Sequence, residues 1–192
     1  LRIGIEAFNC ESLQEIIVIN EMAHCHGLKA RVSVRINPDI DAHTHKYVTT
    51  GLYENKFGIS QHEFDRLIDI LKNSENIEFY GLHFHIGSQI TRVEEVFALE
   101  CQRVNEIVAY FERQGLTVAN INLGGGLGVD YDDPDENPIA DFETWFRTIA
   151  GNISKRADQT VHVEPGRSLV AQCATLISRV LFVKSGETKN FL

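Results

Sequence analysis

Short apolar, β-prone runs alternate along this chain with longer stretches whose apolar residues recur at helical spacing, and this alternation constrains the fold more than any other feature. The β-like runs cover residues 2–5, 30–36, 77–86, 118–123 and 160–164. Between them, Leu13, Ile16, Ile17 and Ala23 share one helical face, as do Phe64, Leu67, Ile68 and Leu71. Val93, Val96, Phe97, Val104, Ile107, Val108 and Phe111 make the longest stripe, and Trp145, Phe146 and Ile149 mark a fourth helix. Helix starts are signalled by Ser12 with Glu15, Ser60 with Glu63 and Thr91 with Glu94, each fitting a capping box. Gly27 and Gly115 follow helical patterns as stop signals do. A helix between two strands carries the chain back to its starting edge, so the strands must pair in parallel.

Four or five such units fit either a doubly wound sheet or part of a (β/α)8 barrel. A complete barrel needs about 250 residues, and this chain has 192. The chain opens on Leu1 within an apolar run and stops at Phe191-Leu192, so it is expected to be cut on both sides. An incomplete barrel leaves strand edges unpaired, and poor solubility is expected of an isolated piece. Beyond Glu164 the pattern changes: 168–171 and 175–183 read as extended, with no helix following. The expected division is a partial barrel over 1–167 and, over 168–192, the barrel's end leading into a β domain. Residues 37–57 form a long aperiodic loop rich in His, Asp and Thr, which reads as ordered and functional.

Composition narrows the function classes. The chain is 43% hydrophobic and 23% charged with a net charge of −9, and no Lys/Arg-rich run offers a nucleic-acid surface. No apolar run approaches the roughly 20 residues that span a bilayer. Cys10, Cys25, Cys101 and Cys173 are scattered and form no C-x-x-C pair, so they read as small core residues of a reduced, cytoplasmic protein.

Ligands of parallel α/β folds bind at the carboxyl ends of the strands. Here the first run leads to Glu6 and Asn9, the second to Arg35, Asn37 and Asp39, and the third to His83, His85, Gly87 and Ser88. The fourth breaks into Gly124, Gly125 and Gly126, followed by Leu127 and Gly128; the fifth ends in Glu164, Pro165, Gly166 and Arg167. Three adjacent glycines let a ligand lie directly on the backbone and let several N–H groups converge on an anion, with phosphate the natural guest. The alternative is a flexible turn. The run fits neither G-x-G-x-x-G, since Val129 stands where the last glycine belongs, nor a P-loop.

His83 and His85 are expected to face opposite ways, with only one looking into a barrel. A zinc site drawing on them with His43 and His45 is disfavoured, because no Cys partner or H-E-x-x-H helix accompanies them. Glu164 ends an apolar strand and needs a partner. That partner is either Arg167 or a cationic ring nitrogen, with Arg167 then free for a phosphate or carboxylate. A phosphate site, a carboxylate for a protonated ring nitrogen and a flat residue for stacking together describe pyridoxal phosphate.

Several stretches carry a resemblance. Arg35-Ile36-Asn37-Pro38-Asp39 with Thr44-His45, Thr50-Gly51 and Lys56-Phe57-Gly58-Ile59 is similar to the diaminopimelate decarboxylases. So are Gly81-Leu82-His83-Phe84-His85-Ile86-Gly87-Ser88-Gln89, Asn122-Leu123-Gly124-Gly125-Gly126-Leu127-Gly128 and Glu164-Pro165-Gly166-Arg167-Ser168-Leu169-Val170. The likeness runs the length of the chain and points to the fold-type III pyridoxal phosphate decarboxylases.

The resemblance implies an alanine-racemase-like (β/α)8 barrel followed by a β domain, in a homodimeric cytoplasmic enzyme. It implies that His85 stacks on the cofactor ring, and that Ser88 and the backbone of Gly124, Gly125 and Gly126 hold the phosphate. Glu164 pairs with the pyridine nitrogen, Pro165 and Gly166 adjoin the cofactor, and Arg167 meets the phosphate and a substrate carboxylate. The reaction implied is decarboxylation of meso-2,6-diaminopimelate to L-lysine, with no metal. The family's Schiff-base lysine lies on an early strand ahead of Leu1, and none of Lys29, Lys46, Lys56 or Lys72 fits its motif; the partner-reaching acidic, Cys and Tyr residues fall after Leu192. The chain alone is therefore expected to be inactive. The alternatives are a carboxynorspermidine, ornithine or arginine decarboxylase, an amino-acid racemase (disfavoured because Glu164 stands where racemases place Arg), and a non-catalytic cofactor-binding homologue.

Overall fold

The computed structural model describes residues 1–40 and 56–192. Five parallel strands form one sheet: β1 (Phe8–Cys10), β2 (Ala30–Arg35), β3 (Ile77–His83), β4 (Asn120–Asn122) and β5 (Thr160–His162). Helices α1 (Leu13–Cys25), α2 (Phe64–Asn73), α3 (Val93–Arg113) and α4 (Phe142–Asn152) alternate with them. The strands lie in the order β1-β2-β3-β4-β5, each beside its neighbour in sequence. A doubly wound sheet reverses its order at a switch point; an unbroken sequential order is that of a β/α barrel, of which these units are a part.

The pleat sorts the residues into two faces. Val32, Val34, Leu82 and Ile121 are buried with the helices' apolar stripes, in one core that includes Leu13, Ile16, Leu67, Phe97, Val104 and Phe111. Phe111 meets Phe64 edge-on at 5.2 Å, and Trp145 of α4 packs on Phe97 of α3 at 5.6 Å between ring centroids. The opposite face is polar at every level. Asn9, Ser33, Gly81, Asn120 and Thr160 stand in register across the sheet. One level toward the carboxyl ends, Arg35, His83, Asn122 and His162 do the same.

Several expectations are corrected. The first strand is Phe8–Cys10; residues 2–5 are not a strand, Arg2 and Ile3 forming a turn, with Ile3 and Ile5 exposed. Of the three capping boxes only Ser12 with Glu15 forms. Ser60 leads into a 3-10 turn (Gln61–Glu63) without a side-chain cap, and α3 is entered at Arg92, one residue past Thr91. Residues 168–171 are not extended: a helical turn, α5 (Arg167–Val170), begins there, and 175–183 pair with nothing among the described residues. A two-stranded antiparallel pair follows, β6 (Lys184–Ser185) and β7 (Asn190–Phe191). Only Cys10 and Cys101 are core residues, while Cys25 and Cys173 are exposed; all four are free thiols. His43, His45, Thr44, Lys46, Thr50, Gly51 and most of the 37–57 loop lie outside the described residues.

One core residue is out of character. Glu100 of α3 is fully buried, and neither carboxylate oxygen has a hydrogen-bond partner among the described residues. Burial raises its pKa well above the ordinary carboxylate range. The folded chain therefore holds this proton more tightly than the unfolded chain. The stability that goes with the neutral form is present below the unfolded pKa and is lost as pH rises toward the folded one. Glu100→Met, which keeps the stem and removes the unpartnered oxygens, is expected to stabilise the full-length protein by about 1–3 kcal/mol. The gain should be larger at pH 8 than at pH 5 in urea unfolding; a pH-independent loss would contradict this account.

Candidate cofactor site

The carboxyl ends of β1 to β5 place one cluster on one rim. From β1 comes Glu11, which pairs with the guanidinium of Arg35 at the end of β2. That guanidinium also lies 5.0 Å over the ring of Phe57. The end of the first strand is thus Glu11, in place of the expected Glu6; Glu6 lies before β1 and bonds Tyr80 and Arg31 instead.

From β3 come His83 and His85. Residues two apart share one face of a strand, so against the expectation His83 and His85 point the same way, while Phe84 between them is buried in the core, and both rings reach the cluster. His83 is buried, with neither ring nitrogen hydrogen-bonded; its Nε2 stands 3.5 Å from Glu164 Oε2. His85 Nδ1 accepts from the N–H of Gly125 at 3.3 Å. Burial lowers the pKa of both imidazoles, most strongly of the causes acting on each; Arg35 pushes the same way and Glu164 opposes it. Both rings are neutral at pH 7, and a neutral ring is suited to lying flat against an aromatic heterocycle.

Glu164 follows β5 on the same rim. Its Oε1 accepts from Asn122 Nδ2 at 2.8 Å, and its backbone N–H donates to Gly124 O at 2.6 Å. It does not pair with Arg167. The Arg167 guanidinium turns the other way, donating to Tyr131 Oη at 2.6 Å and to Ser88 Oγ at 3.3 Å, and stacking 5.7 Å from the Tyr131 ring. Of the two alternatives open from sequence, the structure takes the one in which the charges are apart: Glu164 lies beside His83 and Arg167 beside Ser88.

The glycines between these subsites serve packing as well as any ligand. A Cβ on Gly125 would stand 2.1 Å from Glu164 O, one on Gly124 2.3 Å from Phe84 O, and one on Gly126 2.4 Å from Gly87 O. Gly124 (φ 67) and Gly126 (φ 107) also lie where L side chains are strained. Two of the three N–H groups are turned inward, Gly124's onto Asn122 Oδ1 at 2.8 Å and Gly125's onto His85 Nδ1. Gly126 is the only one of the three that is not buried, and its N–H has no acceptor among the described residues. An anion resting here would meet Gly126 N–H, Ser88 Oγ and Arg167. Asn122 and Tyr131 belong to this cluster and were not singled out from sequence. Asn122 is visible only as the residue before the glycines, and Tyr131 lies 36 positions from the arginine it holds. Among the described residues no group of three His, Cys, Asp or Glu is placed to hold a metal, and no helix is long and apolar enough to cross a membrane.

The residues present suit pyridoxal phosphate: an anion subsite, a carboxylate backed by an amide, and a neutral imidazole between them. Residues 1–171 match the model of the family described as "Pyridoxal-dependent decarboxylase, pyridoxal binding domain". The chain belongs to this family, whose cofactor is pyridoxal phosphate. Over its whole length it is 50% identical to a diaminopimelate decarboxylase of Bacteroides thetaiotaomicron, of which it covers 49%. Among solved structures it is similar to diaminopimelate decarboxylase of Helicobacter pylori complexed with L-lysine, at 35% identity and a TM-score of 0.76, covering 98% of this chain and 46% of that one. It is likewise similar to the M. jannaschii enzyme in co-complex with L-lysine, at 31% identity and a TM-score of 0.77, covering 98% and 44%. The chain spans about half the length of the relatives it matches.

The steric role of Gly125 is separable from ligand binding, because its φ is ordinary and only the Glu164 carbonyl obstructs a side chain. Gly125→Ala is expected to lower the unfolding free energy of the full-length protein without cofactor by about 1–3 kcal/mol. Gly151→Ala in α4, where a Cβ meets open space, should instead raise it by about 0.5–1 kcal/mol. Urea titration of both variants checks the pair, and equal effects would refute the packing account.

Proposed function

We propose that the protein to which this chain belongs decarboxylates meso-2,6-diaminopimelate to L-lysine with pyridoxal phosphate. The observation that carries the reading is the separation of Glu164 and Arg167 into two subsites on one rim, bridged by the glycine run and His85. The identity of substrate rests on the similarity to diaminopimelate decarboxylases along the entire chain, two of them solved with L-lysine.

Bound pyridoxal phosphate supplies an electron sink for the carbanion left when a carboxylate departs as CO2. In this reading Glu164, held by Asn122, keeps a proton on the ring nitrogen, and the sink is strongest when that nitrogen is cationic. His83 stands beside the carboxylate, its Nε2 3.5 Å from Oε2. His85 lies against the ring face. Ser88, the backbone at Gly124, Gly125 and Gly126, and the adjoining Pro165 and Gly166 surround the phosphate. Arg167, steadied by Tyr131, faces the phosphate and the substrate carboxylate. Residues 1–167 are read as the barrel portion, and 168–192 as the passage to a β domain, which the β6–β7 pair supports. The four free thiols support a reducing, cytoplasmic setting, and a homodimer is the assembly we assign.

In the full-length protein Glu164→Gln retains the Asn122 contact but cannot hold a proton on the ring nitrogen. It is expected to cut turnover roughly 10²-fold or more while the cofactor stays bound by its absorbance. Unchanged CO2 release would sink the role given to Glu164. Side-by-side assay on diaminopimelate, ornithine, arginine and carboxynorspermidine tests the substrate, and faster release from any of the last three would overturn it.

A further inference from the structure

The loop after β3 and the loop after β4 are joined by a short ladder. Ile90 N–H donates to Gly126 O at 2.9 Å, and Gly128 N–H donates to Ile90 O at 2.9 Å. These form a parallel bridge between Ile90 and Leu127. The ladder is then lengthened by a side chain. The carboxamide of Gln89 accepts from Val129 N–H at 3.2 Å and donates from Nε2 to Val129 O at 2.5 Å. One primary amide thus takes the place of a strand residue, donating to and accepting from the same backbone unit.

Gln89 reaches this position through a conformation it does not favour. Its φ is 60°, one of two positive values among the non-glycine residues described. The turn it makes sends neighbouring side chains apart: Ser88 Oγ goes to Arg167, and the Gln89 carboxamide goes to Val129. The left-handed backbone is held by the two amide hydrogen bonds, so losing them frees the segment that carries Ser88. The same bonds tie Ser88 to the register of the glycine run, because Val129 follows directly on the Leu127–Gly128 rung.

We propose that Gln89 is a positioning residue of the phosphate subsite. Its carboxamide clasps the two loops so that Ser88 Oγ, Arg167 and the N–H of Gly126 converge on one anion. It does not touch the anion itself. The inference rests on the reading that the cofactor phosphate lies between Ser88 and the glycine run, and it assigns a role to a residue that lines no part of the ring or nitrogen subsites.

The test compares equilibrium binding of pyridoxal phosphate and of pyridoxal, which lacks the phosphate, to the full-length protein freed of cofactor. Gln89→Met keeps the length of the stem and deletes both hydrogen bonds. Losing two neutral hydrogen bonds is expected to weaken pyridoxal phosphate binding about tenfold or more and to leave pyridoxal binding within about twofold. Gln89→Glu, which keeps the shape but sets a carboxylate against Val129 O, should do the same and serves if the Met variant does not fold. Equal weakening of both ligands, or of neither, overturns the clasp. Ser88→Ala is the control for the underlying reading. If Ser88→Ala weakens pyridoxal phosphate selectively and neither Gln89 variant does, the clasp alone is wrong. If Ser88→Ala shows no selectivity, the phosphate placement fails and the clasp falls with it.

Discussion

Backbone-to-backbone contact at the ends of three neighbouring strands is the constraint on which the rest of the site depends. Gly125 lies against the Glu164 carbonyl, Gly124 against that of Phe84 and Gly126 against that of Gly87. Lower in the sheet, Gly81 lies equally close to Asn120 O. At each point one Cβ would force two chains apart. Because the chains touch, the residues that follow β3, β4 and β5 share one small volume, and side chains as short as Ser88 and Asn122 can reach across it. The neighbouring backbone alone requires the glycine run, whatever ligand lies against it. Two of its N–H groups are already satisfied within the protein, by Asn122 Oδ1 and His85 Nδ1.

The second constraint is the polarity of the inner face. A β/α barrel is ordinarily filled by Val, Ile and Leu, whereas here the facing residues are Asn9, Ser33, Asn120 and Thr160, then Arg35, His83, Asn122 and His162. Such residues cannot drive collapse, so the hydrophobic contribution must come from the other face, where the helices cover Val32, Val34, Leu82 and Ile121. Arg35 is mostly buried, and a buried charge is expensive without a partner; Glu11 supplies it, while Glu164 and Arg167, both exposed on the rim, are held by Asn122 and Tyr131.

The same polarity decides what could be read in the sequence. Helices were legible because their apolar stripes run over many turns, as from Val96 to Phe111. Strands β4 and β5 are three residues each, and β4 reads Asn-Ile-Asn, so only Ile121 carries a burial signal. The run at 2–5 carries two isoleucines and reads as a strand, whereas β1 holds Asn9, which belongs to the polar inner face. Capping motifs failed where the backbone entered its helix differently, through a 3-10 turn after Ser60 and one residue late after Thr91. The residues of the site were legible as motif neighbours at strand ends. Their pairing was not, since Arg167 with Tyr131 and Gln89 with Val129 are tertiary contacts with no local period.

That pairing decides what chemistry the rim permits. Had Glu164 and Arg167 neutralised each other, as their adjacency in sequence suggests, the rim would offer a ligand no net charge at either end. Arg167 is drawn instead toward Tyr131 and Ser88, and Glu164 toward Asn122 and His83. Burial and Arg35 favour the neutral form of His83 and His85, and Glu164 opposes them. That division of charge would complement a ligand anionic at one end and cationic or proton-bearing at the other.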